Sequence, residues 1–312
     1  MLNKSNIIYI FLFLIGSIFT SYGQQDPQYT QYMYNMSLIN PAYATDNSEV
    51  INLGLLYRSQ WVGAVGSPST GTFFAHSTLT DRVEGGLSIY HDQIGDVVNN
   101  TNLFADIAYV IPVSANSKLS LGLKAGLSFY STNFDGFKYS DPTPDPTFSE
   151  NYSRTFPNIG VGAYYFSDNY YIGISVPNLL KSKYIKDSDG IASEATEKLH
   201  IFFTGGYVFN LNENLKLKPA FMAIGVNGAP ISFDLTTNVL INNFLEFGIG
   251  YRFGDGLSGL VNFSVTKSIR IGYAYDYTIS NLGDFNSGSH EIILLIDLSK
   301  LGNGYDKSPR FF

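Results

Sequence analysis

The chain has 312 residues, no cysteine, 26 acidic and 19 basic side chains, and a formal charge of −7 at pH 7. Its 45% hydrophobic content excludes an intrinsically disordered chain, its net negative charge argues against nucleic-acid binding, and the missing cysteines exclude disulfide frameworks and thiol nucleophiles. Only 14% of the residues are charged, against about 25% in ordinary soluble domains.

The first predicted element is a secretory signal peptide over residues 1–23. A basic start is followed by an apolar run over residues 7–19, and the small residues Ser21 and Gly23 precede a cleavage site before Gln24. The run is short for a membrane-spanning helix, which needs about 20 residues. We therefore predict an exported protein whose only means of crossing a membrane is β-strands.

The next predicted element is a non-strand segment over residues 24–48. It is polar and aromatic, and Asn40, Pro41, Ala42 and Tyr43 form a turn-forming sequence within it. We expect this segment on the periplasmic side, before the first strand. Two interpretations stay open: the segment folds into the barrel as a plug, or it contacts a periplasmic partner.

Strict alternation of apolar and small or polar residues extends over residues 49–298. Successive side chains of a β-strand face opposite sides of the sheet, so each alternating segment predicts a strand with one apolar and one polar face. The predicted strands are 49–60, 70–80, 85–92, 100–111, 118–130, 157–166, 169–177, 198–209, 214–225, 230–241, 243–252, 256–266, 268–279 and 288–298. Most of them are near the roughly 9–11 residues that a tilted strand needs to cross a bilayer.

The predicted connections differ in length between the two ends of the sheet. Even-numbered connections are tight turns, whereas most odd-numbered ones are longer, with 131–156 and 178–197 the longest. Outer-membrane barrels combine short periplasmic turns with long outer loops and have even strand numbers. We therefore predict an all-β fold, a transmembrane up-and-down antiparallel β-barrel of about 14 strands with a short periplasmic or luminal N-terminal segment. Residues 299–312 form a C-terminal tail, and both mature chain ends are predicted to be periplasmic.

A soluble β-sandwich or propeller, such as a surface carbohydrate-binding protein, would also alternate. The charge-poor polar face and the aromatic residues near the strand ends favour the barrel, because aromatic girdles mark both membrane interfaces. Charged residues of both signs, including Lys124 and Asp276, are predicted to face the barrel interior.

The sequence contains no pattern that indicates catalysis. The four histidines are scattered over different predicted strands, and no nucleophile elbow, zinc-protease motif or phosphate loop is present. We predict that the protein is not an enzyme and that it has no cofactor, no catalytic residues and no metal site.

Two motifs carry a family resemblance. Asn40-Pro41-Ala42-Tyr43 is followed by Arg58-Ser59-Gln60-Trp61-Val62-Gly63 at the end of the first predicted strand. This combination resembles the PorP/SprF family of outer-membrane proteins of the type IX secretion system of Bacteroidota, and the resemblance covers the mature chain by length and strand layout. Thr45 and Met36 depart from the family pattern, which leaves the local turn geometry open.

The resemblance implies an accessory barrel for secretion and surface attachment of a partner, often a large adhesin of gliding motility. Its partners would be that adhesin or another secretion substrate, other components of the system, and outer-membrane lipid. The candidate site residues are Asn40, Pro41, Tyr43, Arg58, Gln60 and Trp61. For Arg58 and Trp61, pairing inside the lumen and anchoring at the interface are alternatives to partner recognition. The alternative function is a porin or transporter for small or hydrophobic solutes, in the manner of fourteen-stranded fatty-acid porins with N-terminal plugs.

Overall fold

The computed structural model describes residues 27–45, 47–135, 151–180 and 198–300. The strands are β1 (Val50–Ser59), β2 (Pro68–Thr80), β3 (Val83–Ile94), β4 (Val98–Pro112), β5 (Ser117–Thr132), β6 (Tyr152–Ser167), β7 (Tyr170–Val176), β8 (His200–Tyr207), β9 (Phe209–Asn212), β10 (Leu215–Val226), β11 (Ser232–Ile241), β12 (Leu245–Arg252), β13 (Gly256–Ser264), β14 (Ile269–Thr278) and β15 (Ser289–Ser299). Two short helices precede them, a 3-10 turn (Tyr32–Tyr34) and α1 (Met36–Ile39), and a second 3-10 turn (Asn281–Phe285) lies between β14 and β15.

The strands form one closed antiparallel barrel. Apart from β8 and β9, strands adjacent in sequence pair with each other, and β1 pairs with β15 from Val50↔Ser299 to Ser59↔His290, which closes the sheet on itself. β8 and β9 both pair with β10 and are separated by Val208 alone, so together they count as one interrupted strand of the barrel. Counted in this way, the barrel has fourteen strands, which confirms the predicted fold class.

Alternation divides the barrel into an apolar outer face and a mixed inner face. On β4, Leu103 and Ile107 are exposed to the outside, whereas Phe104 and Asp106 between them are buried inside. Such a band of outward apolar side chains matches the hydrocarbon of a membrane. Among the described residues, no helix is long and apolar enough to cross a membrane.

The two ends of the barrel differ in their connections. At one end, which we call the short-turn end, adjacent strands are joined by two to four residues, for example residues 81–82 between β2 and β3. The opposite end, the long-loop end, carries residues 60–67 and 279–288 together with the connections between β5 and β6 and between β7 and β8. Parts of the latter two connections, residues 136–150 and 181–197, lie outside the described residues.

Two predicted boundaries were wrong. β6 begins at Tyr152 rather than at residue 157, because the extended β5 supplies hydrogen-bonding partners as far as Thr132. The predicted connection over residues 93–99 contains three residues only, since Ile94 and Val98 still pair across it. In both places the strands continue beyond the apolar band from which they were predicted.

Residues 27–45, which we call the luminal segment, occupy the interior of the barrel. They hydrogen-bond to strands on opposite sides of the wall, among them β3, β6 and β15, and Gln31, Asn40 and Ala42 have 1% or less of their surface exposed. The main hydrophobic cluster consists of this segment and the aromatic inner face that surrounds it. The segment therefore takes the place that water occupies in an open barrel.

The course of the luminal segment bears on the predicted position of the chain ends. Thr30 hydrogen-bonds to Asp276, which is near the end of β14 at the long-loop end, whereas Lys300 follows β15 at the short-turn end. The described residues thus begin and end toward opposite ends of the barrel, and the periplasmic position of both mature chain ends stays a prediction. Strand parity does not reveal this, because a segment threaded through the lumen adds a crossing without adding a strand. The signal peptide and both termini lie outside the described residues.

Candidate functional site

The candidate site consists of the luminal segment, the inner wall that holds it, and the loops around the long-loop mouth. Apolar residues of the segment, such as Met33, Leu38 and Ile39, are buried against aromatic side chains of the wall. Burying one such side chain stabilises the folded state by about 1.5–3 kcal/mol. Polar contacts at three places then determine how the segment is positioned.

The first anchor lies at the long-loop end and involves the predicted residue Arg58. The backbone N–H groups of Thr30 and Gln31 donate to the Glu291 carboxylate at 2.9 and 2.8 Å. Arg58 Nη1 donates to Thr30 Oγ1 at 2.9 Å, and the Thr30 hydroxyl donates to Asp276 at 2.6 Å. The Arg58 guanidinium also pairs with Asp276 at 2.7 Å and with Glu291 at 3.2 Å. Three strands and the luminal segment therefore meet in one charged cluster.

The second anchor is the turn that contains the predicted residues Asn40 and Pro41. Asn40 Nδ2 donates to the Ala163 carbonyl of β6 at 3.1 Å, and Asn40 Oδ1 accepts from the Ala42 N–H at 2.9 Å. The turn lies directly on the backbone of the wall at Gly122 and Gly162. A Cβ atom at Gly122 would overlap the Pro41 carbonyl, and one at Gly162 would overlap the Asn40 side chain. Glycine is required at these two inner positions because the segment approaches so closely.

Side chains of the wall support the chain just before this turn. Lys124 Nζ on β5 donates to the Leu38 carbonyl at 2.7 Å, and Ser175 Oγ on β7 donates to the Ile39 carbonyl at 2.8 Å. These carbonyls lie at the end of α1, where backbone acceptors lack partners within the helix. The wall thus completes the hydrogen bonding of a helix that is one turn long.

The third anchor lies at the short-turn end, where the segment leaves the lumen. Glu84 accepts from the Thr45 N–H at 2.9 Å, from the Thr45 hydroxyl at 3.1 Å, and pairs with His76 Nε2 at 2.7 Å. The ring of the predicted residue Tyr43 packs against His76 and Tyr164, with centroids 5.3 and 5.7 Å away. Glu84 and His76 are both almost fully buried, so this contact is formed away from solvent.

The remaining predicted residues, Gln60 and Trp61, lie in the loop of residues 60–67 at the long-loop mouth. The Gln60 N–H donates to the Pro68 carbonyl at 2.9 Å, and the Trp61 N–H donates to Ser289 Oγ at 3.1 Å. Trp61 has a φ of 51°, in the left-handed region that residues with a side chain rarely adopt. Backbone hydrogen bonds between Val62 and residues 287–288 join this loop to the loop of residues 279–288.

The structure therefore divides the predicted site into two parts. Asn40, Pro41 and Tyr43 are buried in the lumen, Gln60 and Trp61 lie on the rim, and Arg58 lies beneath the rim, where its bond to Thr30 connects the two parts. Thr30, Glu84 and Glu291 were not predicted as site residues from the sequence. The signal that would have found both glutamates is their position on the inward-facing side of the alternation, the same signal that placed Lys124 and Asp276.

Three comparisons with known proteins place this arrangement in context. A family model described as "Type IX secretion system membrane protein PorP/SprF" matches residues 21–296. Among curated proteins, no sequence relative was found. Among solved structures, the CymD monoaromatic hydrocarbon channel matches with a TM-score of 0.51 at 11% identity, covering 84% of this chain and 91% of that one. The Ralstonia pickettii toluene transporter TbuX matches with a TM-score of 0.50 at 10% identity, covering 84% and 93%. At such low identity these two structures support the fold alone.

Proposed function

The chain belongs to the PorP/SprF family of type IX secretion system membrane proteins, and from this premise we propose that it supports the secretion and cell-surface attachment of a partner adhesin of the gliding-motility type. The family and the closed barrel make it an outer-membrane protein of that secretion system. The adhesin, the motility link and contacts with other components of the system are our proposal. The prediction that the protein is not an enzyme remains a prediction.

The observation that carries the proposal is the occupied lumen. The luminal segment is held by buried hydrogen bonds at both ends of the barrel and in the middle, so its removal would break polar contacts all along the wall. A barrel filled in this way is suited to presenting surfaces to other proteins rather than to passing solutes. This supports a docking role over the alternative of a porin or transporter.

The surface available for docking is the rim at the long-loop end. Two of its loops, residues 60–67 and 279–288, are joined by backbone hydrogen bonds, and Gly95 of a third connection lies against Gly66. Within this rim Val65 and Phe285 expose most of their side chains. We propose these two side chains as contacts for the partner. We propose that this end faces the cell exterior, as the long loops of outer-membrane barrels do, after removal of the signal peptide over residues 1–23.

Deletion of the gene tests the proposal. We expect the cognate adhesin to be lost from the cell surface, measured by labelling surface proteins of intact cells and identifying them by mass spectrometry. Expression of the full-length chain from a plasmid should restore the adhesin. Normal surface display in the deletion strain would contradict the proposed function. Affinity purification from detergent-solubilised outer membrane should recover the same adhesin.

The alternative function, a transporter, depends on whether the lumen is open. It requires a path for solutes through the lumen, whereas the inner positions along the luminal segment are filled by side chains that pack against it, such as Phe104 and Phe166. The similarity to hydrocarbon channels concerns the fold alone and gives no support for a transported solute in this protein. Conductance measurements in planar bilayers distinguish the two functions.

A further inference from the structure

A cleft lies at the long-loop end, between the luminal segment and the wall formed by β11 to β15 and β1. Residues whose charges or rings define it are Thr30, Arg58, Trp61, Arg252, Asp255 and Asp276. We call it the mouth cleft. Its position at the strand ends next to the rim places it where a macromolecule outside the barrel can reach it.

The ion pairs around the mouth cleft contain more negative than positive charge. Arg252 forms a bidentate ion pair with Asp234, with both hydrogen bonds at 2.9 Å, and a second ion pair with Asp255 at 3.3 Å. Arg58 similarly pairs with Asp276 and Glu291. Each guanidinium is thus shared by two carboxylates, and the two clusters together carry a formal charge of −2. An excess of one sign of charge in a cleft raises the local concentration of oppositely charged groups, so this excess of carboxylates attracts a cation.

The geometry favours an organic cation over a metal ion. Within the described part of the chain, no three His, Asp or Glu side chains are placed to hold a metal, since each carboxylate here is already turned toward an arginine. A lysine or arginine side chain is long enough to reach single carboxylates and forms short, charge-assisted hydrogen bonds with them. Asp255 is the most accessible of these carboxylates, with 39% of its side chain exposed.

A second observation indicates what accompanies the cation. Arg58 is 3% exposed, and its Nε–H has no hydrogen-bond acceptor among the described residues. A buried donor without an acceptor is unfavourable, and Arg58 lines the cleft. Its Nε–H is therefore a candidate donor for a ligand oxygen next to the excess of carboxylates. A polypeptide supplies both groups, because a basic side chain carries the cation and the adjacent backbone carries carbonyl oxygens.

We propose that the mouth cleft binds a lysine- or arginine-bearing segment of the exported partner protein. The basic side chain is received by Asp255 and Asp276, and a backbone carbonyl of the same segment accepts from Arg58 Nε. Trp61, held on the rim in its left-handed conformation, forms part of the wall against which the segment lies. This inference rests on the proposed function and names the contact by which the partner is recognised.

The experiment uses the fluorescence of Trp61, which is the only tryptophan of the chain and therefore reports on this cleft. The full-length protein in detergent is titrated with N-acetyl-lysine-N-methylamide, and we expect a saturable change in emission. The neutral analogue N-acetyl-norleucine-N-methylamide should give no saturable change. The Asp255→Asn variant should bind the lysine probe about tenfold more weakly, as expected for loss of about 1.4 kcal/mol of attraction. The matched control is Asp284→Asn, because Asp284 is an exposed acid of the neighbouring loop and does not line the cleft.

Several results would overturn the inference. These are the lack of a saturable change with the lysine probe, an equal response to the norleucine probe, or unchanged binding in Asp255→Asn. A response to calcium chloride that the lysine probe does not reproduce would assign the site to a metal instead. Failure of this inference is distinguishable from failure of the proposed function. If only the inference fails, the adhesin is still lost from the surface of the deletion strain, but the purified protein does not bind the lysine probe.

Discussion

The guanidinium of Arg58 lies 2.7 Å from the carboxylate of Asp276, although β15 separates the two strands that carry them. The pair spans the place where the barrel closes, and the Thr30 hydroxyl lies between the two groups. One ion pair therefore connects barrel closure to the position of the luminal segment. The anchors of that segment lead to four predictions.

Arg58→Ala should destabilise the barrel strongly. The substitution leaves Asp276 and Glu291 buried without the cation that they share, and the loss of one partner of a buried pair costs about 3–5 kcal/mol. The measurement is the free energy of unfolding by urea of the protein in lipid vesicles. Arg154→Ala is the matched control, because Arg154 is exposed on β6, and it should change stability by less than about 0.5 kcal/mol. Equal effects of the two substitutions would contradict the structural role of Arg58.

Glu84→Ala should release the end of the luminal segment at the short-turn end. Glu84 is the acceptor for both the N–H and the hydroxyl of Thr45, and hydrogen bonds to a buried charged group each contribute about 1.5–3 kcal/mol. We expect faster amide hydrogen exchange at Thr45 and its neighbours, measured by mass spectrometry after proteolysis. Glu213→Ala, in an exposed turn, should leave exchange in the segment unchanged. Unaltered protection in Glu84→Ala would show that packing alone holds this end.

Gly122→Ala should displace the turn at Asn40 and Pro41. The added methyl group would occupy the position of the Pro41 carbonyl, whereas one added at Gly259 has no atom within 4 Å. Because the chain has no cysteine, a single Ser37→Cys substitution reports the exposure of the buried segment to a maleimide reagent. We expect rapid labelling when Gly122→Ala is present and slow labelling in its absence or with Gly259→Ala. Slow labelling in all three proteins would mean that the wall shifts instead of the segment.

Removal of residues 27–45 should open the barrel to ions. The segment fills the lumen between the inner faces of the strands, and an empty barrel of this size holds water. In planar bilayers we expect the intact protein to conduct little and the deletion variant to form stable channels. Gly122→Ala serves as a second variant with the whole chain present and should raise the conductance partially. Large channels in the intact protein would favour the transporter function over the docking function.

Local patterns were enough to predict most of the wall. Alternation at Leu103, Phe104 and Ile107 on β4 separates the two faces because side-chain direction along a strand depends on sequence parity alone. The same rule placed Lys124 and Asp276 inside. It failed at Tyr152 and Val98. There the strands extend beyond the apolar band, and backbone hydrogen bonds to the neighbouring strand hold these ends in the sheet.

The contents of the barrel required the tertiary structure. Composition left the luminal segment open as a plug or a partner contact, and the partners of its backbone are distant in sequence: the Thr30 N–H bonds to a carboxylate 261 residues away. Glu291 and Arg58 become neighbours only when β15 pairs with β1. The excess of carboxylates at the mouth cleft depends on the same closure, because it joins residues from five strands.

The sequence by itself predicted an exported, charge-poor chain of about fourteen alternating strands and the face on which the side chains of those strands lie. These properties follow from periodicity and from the apolar band that a membrane demands. Only the tertiary structure decided that the segment before β1 fills the lumen, that Arg58 anchors it, and that its first residues lie toward the long-loop end. Those outcomes depend on the close approach of the luminal segment to Gly122 and Gly162 and on hydrogen bonds across the closed barrel. Both kinds of contact form only when all the strands have come together.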